Sequence, residues 1–236
     1  MAFSFVLEQE PHEEGEVNGM DGRTVTLDSL DIYVEEFRKC GTALVPPDLI
    51  FSADELEHLN AIQSRIPEEK VSNGDAGDTH DIYVRRIMTD KPGEIPTLVN
   101  RPFSDQILEI IGDEKRQAIF SEMLPSPSDL FIRRGQMNRM IQDSFIGLHL
   151  DAASNPDYEF SVVIQLGRDF KGGEFVVYPD DGEKQIFFPT YGSVLISTCK
   201  LHHEVWKVLA NERNSLVYFY SRYGGVNRRE VSTTSA

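Results

Sequence analysis

The chain has 236 residues, 40% of them hydrophobic and 26% charged, enough apolar material for one domain with a substantial core. Its net charge of −16, from 23 basic and 39 acidic residues, argues against nucleic acid as a partner, and no apolar run approaches the roughly 18 residues that span a bilayer. Two cysteines, Cys40 and Cys199, form no disulfide framework and fit free thiols in a reducing cytoplasm.

Residues 1–24 are acidic, carry glycine and show little apolar periodicity, which predicts a mobile arm. Residues 25–125 read as a helical support region. A helix over 28–40 places Leu30, Ile32, Val34 and Phe37 on its apolar stripe, and Gly41 ends it. Pro46-Pro47 breaks the chain, and Ser52 with Glu55 forms a capping-box pattern that opens a helix to about Ile66. A polar loop follows over 69–80, then a strand over 82–88. Ser104 is the expected cap of a helix through Ile111, and a last helix runs from Glu114 to Leu124. The pairs Arg85-Arg86 and Arg133-Arg134 are too short for a basic patch and read as strand residues with solvent-facing guanidinium groups.

From 126 to 236 the pattern changes to short β-rich runs: 129–140, 146–151, 160–167, 173–178, 184–188, 193–198, 202–208 and 213–222. Turn residues separate them, among them Asn155-Pro156-Asp157, Gly172-Gly173 and Asp180-Asp181-Gly182. Strands at this spacing predict an antiparallel jelly roll, so the fold class is mainly β with N-terminal helices (α+β). Neither a Rossmann nor a P-loop glycine signature occurs.

The chemistry centres on His149-Leu150-Asp151. In a strand, residues i and i+2 share a face, so His149 and Asp151 project together while Leu150 turns away. An isolated pair of this kind is a weak signal, because a lone strand histidine is usually a packed core residue. His203, on a later strand, is the candidate third ligand. Two histidines and one carboxylate on one face of an iron(II) ion leave positions open, the arrangement used by non-haem iron oxygenases.

The distal segment His203-Glu-Val205, Val208 and Arg213-Asn-Ser215 resembles the prolyl-4-hydroxylase-like 2-oxoglutarate/iron(II) dioxygenases, where a basic residue stands ten positions after the distal histidine. Gly172-Gly173-Glu174 and the apolar run Gly192 to Ser197 also resemble that family, in the expected order over roughly 129–222. The resemblance implies a double-stranded β-helix, iron(II), 2-oxoglutarate and O₂ as cofactors, and His149, Asp151 and His203 as metal ligands. It implies Arg213 as the anchor of the cosubstrate C5 carboxylate. A guanidinium suits that carboxylate because it stays charged and offers a planar fork of donors. Ser215, two residues on along the strand, adds a hydroxyl. The family's histidine stands two before a valine, which selects His203 over His202. His12, His58 and His80 read as surface residues.

There are departures. Met140 stands where prolyl hydroxylases place a cosubstrate-contacting tyrosine, and Asn138 is the candidate replacement; Lys207 stands where proline is common. A narrower resemblance, through Arg133 to Met140, Phe145 to Asp151 and Ser154 to Tyr158, is to small bacterial enzymes acting on free amino acids, a group of hydroxylases and radical halogenases. The halogenases lack the metal carboxylate, so Asp151 implies hydroxylation. Lysine-acting relatives hold the substrate amine with acidic residues; Asp143 and Asp157 lie near the proximal strand, yet Phe145 and Ile146 are apolar, so aliphatic and basic amino acids both stay open. The expectation is a cytoplasmic hydroxylase of a free amino acid or derivative that yields succinate and CO₂, with a homodimeric state left open. The alternatives are an oxygenase of a carrier-bound or peptidyl residue and a non-catalytic jelly roll that binds metal and ligand.

Overall fold

The structure is a computed structural model that describes residues 29–73, 78–126, 128–180 and 182–230. The arm expected over 1–24 lies outside the described residues, as does His12. The first helix, α1 (Asp31–Cys40), buries Leu30, Val34 and Phe37. Gly41 closes it with φ 73°, and a Cβ there would stand 2.8 Å from Leu201 Cδ1, so both backbone and space call for glycine. Ile32, expected on the buried stripe, is 69% exposed. At 100° per residue it falls about 200° from both Leu30 and Val34, on the opposite side of the helix.

Helix α2 (Ala53–Gln63) has both halves of the capping box, Ser52 accepting from Glu55 N while Glu55 accepts from Ser52 N. Helix α3 (Phe103–Ile111) opens after Pro102 rather than at Ser104, whose side chain is buried inside the first turn instead of capping it. Helix α4 (Glu114–Ser121) is capped by Asp113, and its buried Arg116 pairs with both Asp113 and Glu55, tying α4 to α2.

The strands in chain order are β1 (Thr42–Val45), β2 (Glu69–Asn73), β3 (Asp78–Thr89), β4 (Thr97–Leu98), β5 (Phe131–Met140), β6 (Ile146–His149), β7 (Phe160–Gln165), β8 (Lys171–Gly172), β9 (Phe175–Tyr178), β10 (Gln185–Phe187), β11 (Val194–Thr198), β12 (His202–Val205), β13 (Val208–Ala210) and β14 (Arg213–Ser221). The large sheet has the order β1-β11-β7-β14-β5-β3-β6-β12-β9-β10, with β2 and β4 on β3. The fold is a double-stranded β-helix with a helical layer. The region 25–125 is more than helical support, because it supplies β1 at one edge and β3 in the middle of the sheet. The loop expected over 69–80 instead contains β2, which pairs Lys70 and Val71 with Tyr83 and Ile82.

Two cores follow from strand alternation. One face of the large sheet packs Phe160, Val162, Ile164, Leu216, Tyr218 and Tyr220 against the helices through Leu59, Ile107, Ile111 and Phe120. The other face turns inward, where Ile82, Val84, Met140, Val163, Phe175, Leu195 and Val205 form the second core. Burying a large apolar side chain contributes about 1.5–3 kcal/mol, so the two cores fix the strand registers that position the site. No described helix is long and apolar enough to cross a membrane.

Candidate active site

A cavity opens on the inward face of the sheet, and its walls are alternate residues of neighbouring strands: Ile82, Val84 and Arg86 from β3; Arg134, Gln136 and Asn138 from β5; Ser161 and Val163 from β7; Arg213, Ser215, Val217 and Phe219 from β14; His203 and Val205 from β12. Phe175, Ile146, His149, Asp151 and Ser154 also line it.

Strand β6 ends at His149, and Asp151 opens a short 3₁₀ turn over Asp151–Ala153 rather than continuing the strand. The two side chains still converge because Leu150 between them keeps an extended backbone, φ −118° and ψ 126°. Antiparallel pairing of β12 with β6 sets His203 directly opposite His149, their ring centroids 4.3 Å apart. Asp151 reaches both, with Oδ1 3.5 Å from His149 Nε2 and Oδ2 3.4 Å from His203 Nε2. One ligand atom from each residue lies within 4.8 Å of the others, a group that could hold a metal ion.

Each imidazole is aimed by a backbone carbonyl two residues earlier: His149 Nδ1 lies 2.7 Å from Gly147 O, and His203 Nδ1 lies 3.0 Å from Leu201 O. A carbonyl only accepts, so each Nδ1 carries a proton and Nε2 is the ring atom turned toward Asp151. Phe175 stacks on His203 at 5.0 Å and holds that ring's plane. Burial opposes ionisation of Asp151, but the charge of His203 and the hydrogen bond from His149 outweigh it and hold the carboxyl below its ordinary range. His149 is also pulled down by burial, yet the bond and charge of Asp151 leave it raised. The more deeply buried His203 is left lowered, since burial there outweighs the charge of Asp151. With each Nε2 deprotonated, as ligation requires, two imidazoles and one carboxylate form a donor set that fits iron(II). Its neighbour His202 is exposed on the outer face, and His58 is exposed on α2.

Arg213 opens β14 and is 2% exposed. Among the described residues its Nε and Nη2 have no hydrogen-bond partner, and Nη1 lies 3.5 Å from Ser215 Oγ and 3.7 Å from Met140 Sδ. Burial pushes the guanidinium down to about 10, still charged at neutral pH. Gly173 makes room for it: its φ is +70°, and a Cβ there would come within 2.7 Å of Arg213 Cδ. Ser215 is buried beside it, paired in register with Asn138, whose Oδ1 accepts from Gln136 Nε2 at 2.8 Å. A buried cation with two unsatisfied donors, in the same cavity as the triad, fits a dicarboxylate cosubstrate.

Several charged residues sit elsewhere than the sequence suggested. Of the two arginine pairs, only Arg86 has substantial exposure. Arg133 is 0% exposed and pairs with the equally buried Asp90; Arg134 faces the cavity; Arg85 is largely covered and pairs with Glu68. Asp143 pairs with Lys207 and Asp157 with Arg228, and neither lines the cavity. Ser154 does line it, while Asn155 turns inward to Asp90 and Tyr158 packs on Phe219. The signal that could have found Arg134 and Gln136 is their place four and two residues before Asn138 on β5, which puts all three on one face.

The 2OG-Fe(II) oxygenase superfamily model matches residues 135–221. A crystal structure of an oxidoreductase of the 2OG-Fe(II) oxygenase family from Burkholderia pseudomallei is 57% identical, with TM-score 0.82 over 85% of this chain and 94% of that one. The chain belongs to the 2OG-Fe(II) oxygenase family. It is a dioxygenase that depends on iron(II) and 2-oxoglutarate. The fold is shared more distantly with a Pseudomonas putida prolyl-4-hydroxylase (19% identity, TM-score 0.60, 83% of this chain and 100% of that one). It is also shared with HygX from Streptomyces hygroscopicus, solved with nickel, 2-oxoglutarate and hygromycin B (15% identity, TM-score 0.57, 87% and 92%). No curated protein matches the sequence.

Proposed function

We propose that this enzyme hydroxylates an unactivated aliphatic C–H bond of a small molecule, a free amino acid or a derivative of one. His149, Asp151 and His203 hold the iron. Arg213, with Ser215 beside it, receives the C5 carboxylate of 2-oxoglutarate. The observation that carries the reading is Arg213: a fully desolvated guanidinium with two unsatisfied donors in the cavity that contains the triad. A buried guanidinium with unsatisfied donors is costly, and a dicarboxylate ligand would satisfy them.

Bound iron(II), with 2-oxoglutarate and O₂, would supply the oxidising power for hydroxylation, with succinate and CO₂ as co-products. The protein's own work is positional. The carbonyls of Gly147 and Leu201 keep Nε2 of each histidine free for the metal. Phe175, Val163, Val205 and Ile146 line an apolar flank that keeps water from the reacting carbon. Asp151 would give the iron a carboxylate where the resembling halogenases have none, which supports hydroxylation over halogenation. The narrower resemblance to amino-acid hydroxylases, through Phe145 to Asp151 and Ser154 to Tyr158, supports the substrate class.

The test is iron binding by calorimetry under exclusion of air. His149→Ala and His203→Ala are expected to lose iron binding and turnover, while His202→Ala keeps both. An active His203→Ala with a dead His202→Ala overturns the ligand assignment.

A further inference from the structure

Asp151 reaches the triad from a single 3₁₀ turn, in which Ser154 N donates to Asp151 O at 2.9 Å and Ala153 N to Leu150 O at 3.1 Å. One turn of this kind makes too few bonds to hold itself in place, so its position must come from contacts outside it. The loop that contains it is tied to the sheet at both ends. Ala152 N donates to Cys199 O at 3.0 Å, and Glu159 N donates to Tyr220 O at 2.8 Å.

Between those ties stands Asn155, which is 0% exposed. Its Nδ2 donates to Asp90 Oδ2 at 2.7 Å, and its Oδ1 accepts from Asp157 N at 2.9 Å. A carboxylate only accepts and a backbone N–H only donates, so the two partners together fix which way the amide faces. Its backbone O accepts from Tyr158 N at 3.2 Å, and Pro156, with its fixed φ, completes a tight turn. Asp90 follows β3, and its side chain is fully enclosed, with Arg133 of β5 donating to both of its oxygens. Asn155 is therefore pinned to a charge-balanced pair that joins two strands from the middle of the sheet. An amide suits the place because it brings a donor to Asp90 without adding a charge to a buried ion pair.

We propose that Asn155 is a positioning residue: by fixing the end of the turn to Asp90, it sets the Asp151 carboxylate where His149 and His203 can share a metal ion with it. The proposal rests on the reading of those three residues as the ligands. A ligand must be held to within about 0.5 Å of its working position, a tolerance that a lone turn does not meet. Loss of the Asp90 bond is then felt at the metal, four residues away in the chain.

The experiment uses cobalt(II) as the probe, titrated into the metal-free enzyme and read by calorimetry and by visible absorption, whose shape and intensity report the geometry around the ion. Asn155→Ser keeps a hydroxyl acceptor for Asp157 N but is too short to reach Asp90. It should bind cobalt about tenfold more weakly, with an altered absorption spectrum. Ile62→Val, which trims the helix-facing core, should keep both the affinity and the spectrum. A measurement on the wild type alone tests the same coupling, because linkage is reciprocal. Cobalt should slow hydrogen exchange at the amide of Asp157, which is bonded to Asn155 and not to the triad. This holds the proposal open to refutation even where Asn155→Ser folds poorly. Wild-type affinity and spectrum in Asn155→Ser overturn the proposal, as does an equal loss in Ile62→Val or an Asp157 amide indifferent to cobalt. Failure of the underlying reading shows separately, as a wild-type enzyme that takes up no cobalt, and that result overturns this proposal as well.

Discussion

Two arginines are almost equally buried, and they serve different ends. Arg133 is enclosed by its own protein: Nε lies 3.0 Å and Nη2 3.1 Å from the two oxygens of Asp90, and Nη1 donates to Tyr223 O at 2.6 Å. Asn155 adds a bond to Asp90 at 2.7 Å, so the pair also holds the segment that follows the Asp151 turn. Among the described residues Arg213 has no such enclosure, with two donors unsatisfied and Ser215 and Met140 near the third. A buried charge that the fold satisfies is part of the scaffold. One that the fold leaves unsatisfied is kept for a ligand.

That contrast predicts opposite responses to the same substitution. Arg133→Met strands Asp90 as a buried, unpaired carboxylate and should lower stability by about 3–5 kcal/mol, read from urea unfolding. Arg213→Met removes a desolvated charge two of whose donors are unsatisfied among the described residues. Unfolding of the ligand-free protein should show stability unchanged or raised by about 1–3 kcal/mol, because the burial cost disappears. Equal losses in the two variants would erase the distinction drawn here.

The ligand response should invert the order. Addition of 2-oxoglutarate at about 100 times its dissociation constant, with iron present, should stabilise the wild type by about 2.7 kcal/mol. Arg133→Met should show the same increment on its lower baseline. Arg213→Met should show almost none, its affinity reduced at least about 100-fold. A full increment in Arg213→Met would place the C5 anchor elsewhere.

The smallest effect is in pH. Burial lowers Arg213 to about 10, so its charged form disfavours the ligand-free fold at neutral pH, and that penalty fades as pH rises through 10. The cosubstrate needs the charged form, so its affinity should stay flat from pH 7 to 9 and fall only above about 10. A decline centred near pH 7, seen by calorimetry with the metal held saturating, would show that another group controls the anchor.

Much of this was legible in the sequence because it is local. The capping box at Ser52, the glycine stop at Gly41 and most strands after residue 126 follow from residue type and short-range spacing. So does the common face of His149 and Asp151, although Asp151 itself lies in a turn, because one extended residue between them is enough. The same alternation puts Arg213 and Ser215 together. What alternation states is that two residues share a face; it is silent on what covers that face. Arg133 and Arg134 are neighbours with one composition, and their strand sends one to Asp90 and the other into the cavity. Asp143 and Asp157 stand near the proximal strand in sequence and are turned to Lys207 and Arg228 in space. The central place of β3, and the pairing that sets His203 against His149, join segments far apart in the chain. Sequence by itself determined the set of chemical groups and their faces. Only tertiary pairing decided which charges found partners, because neutralising a buried charge depends on distance in three dimensions, which spacing along the chain does not encode.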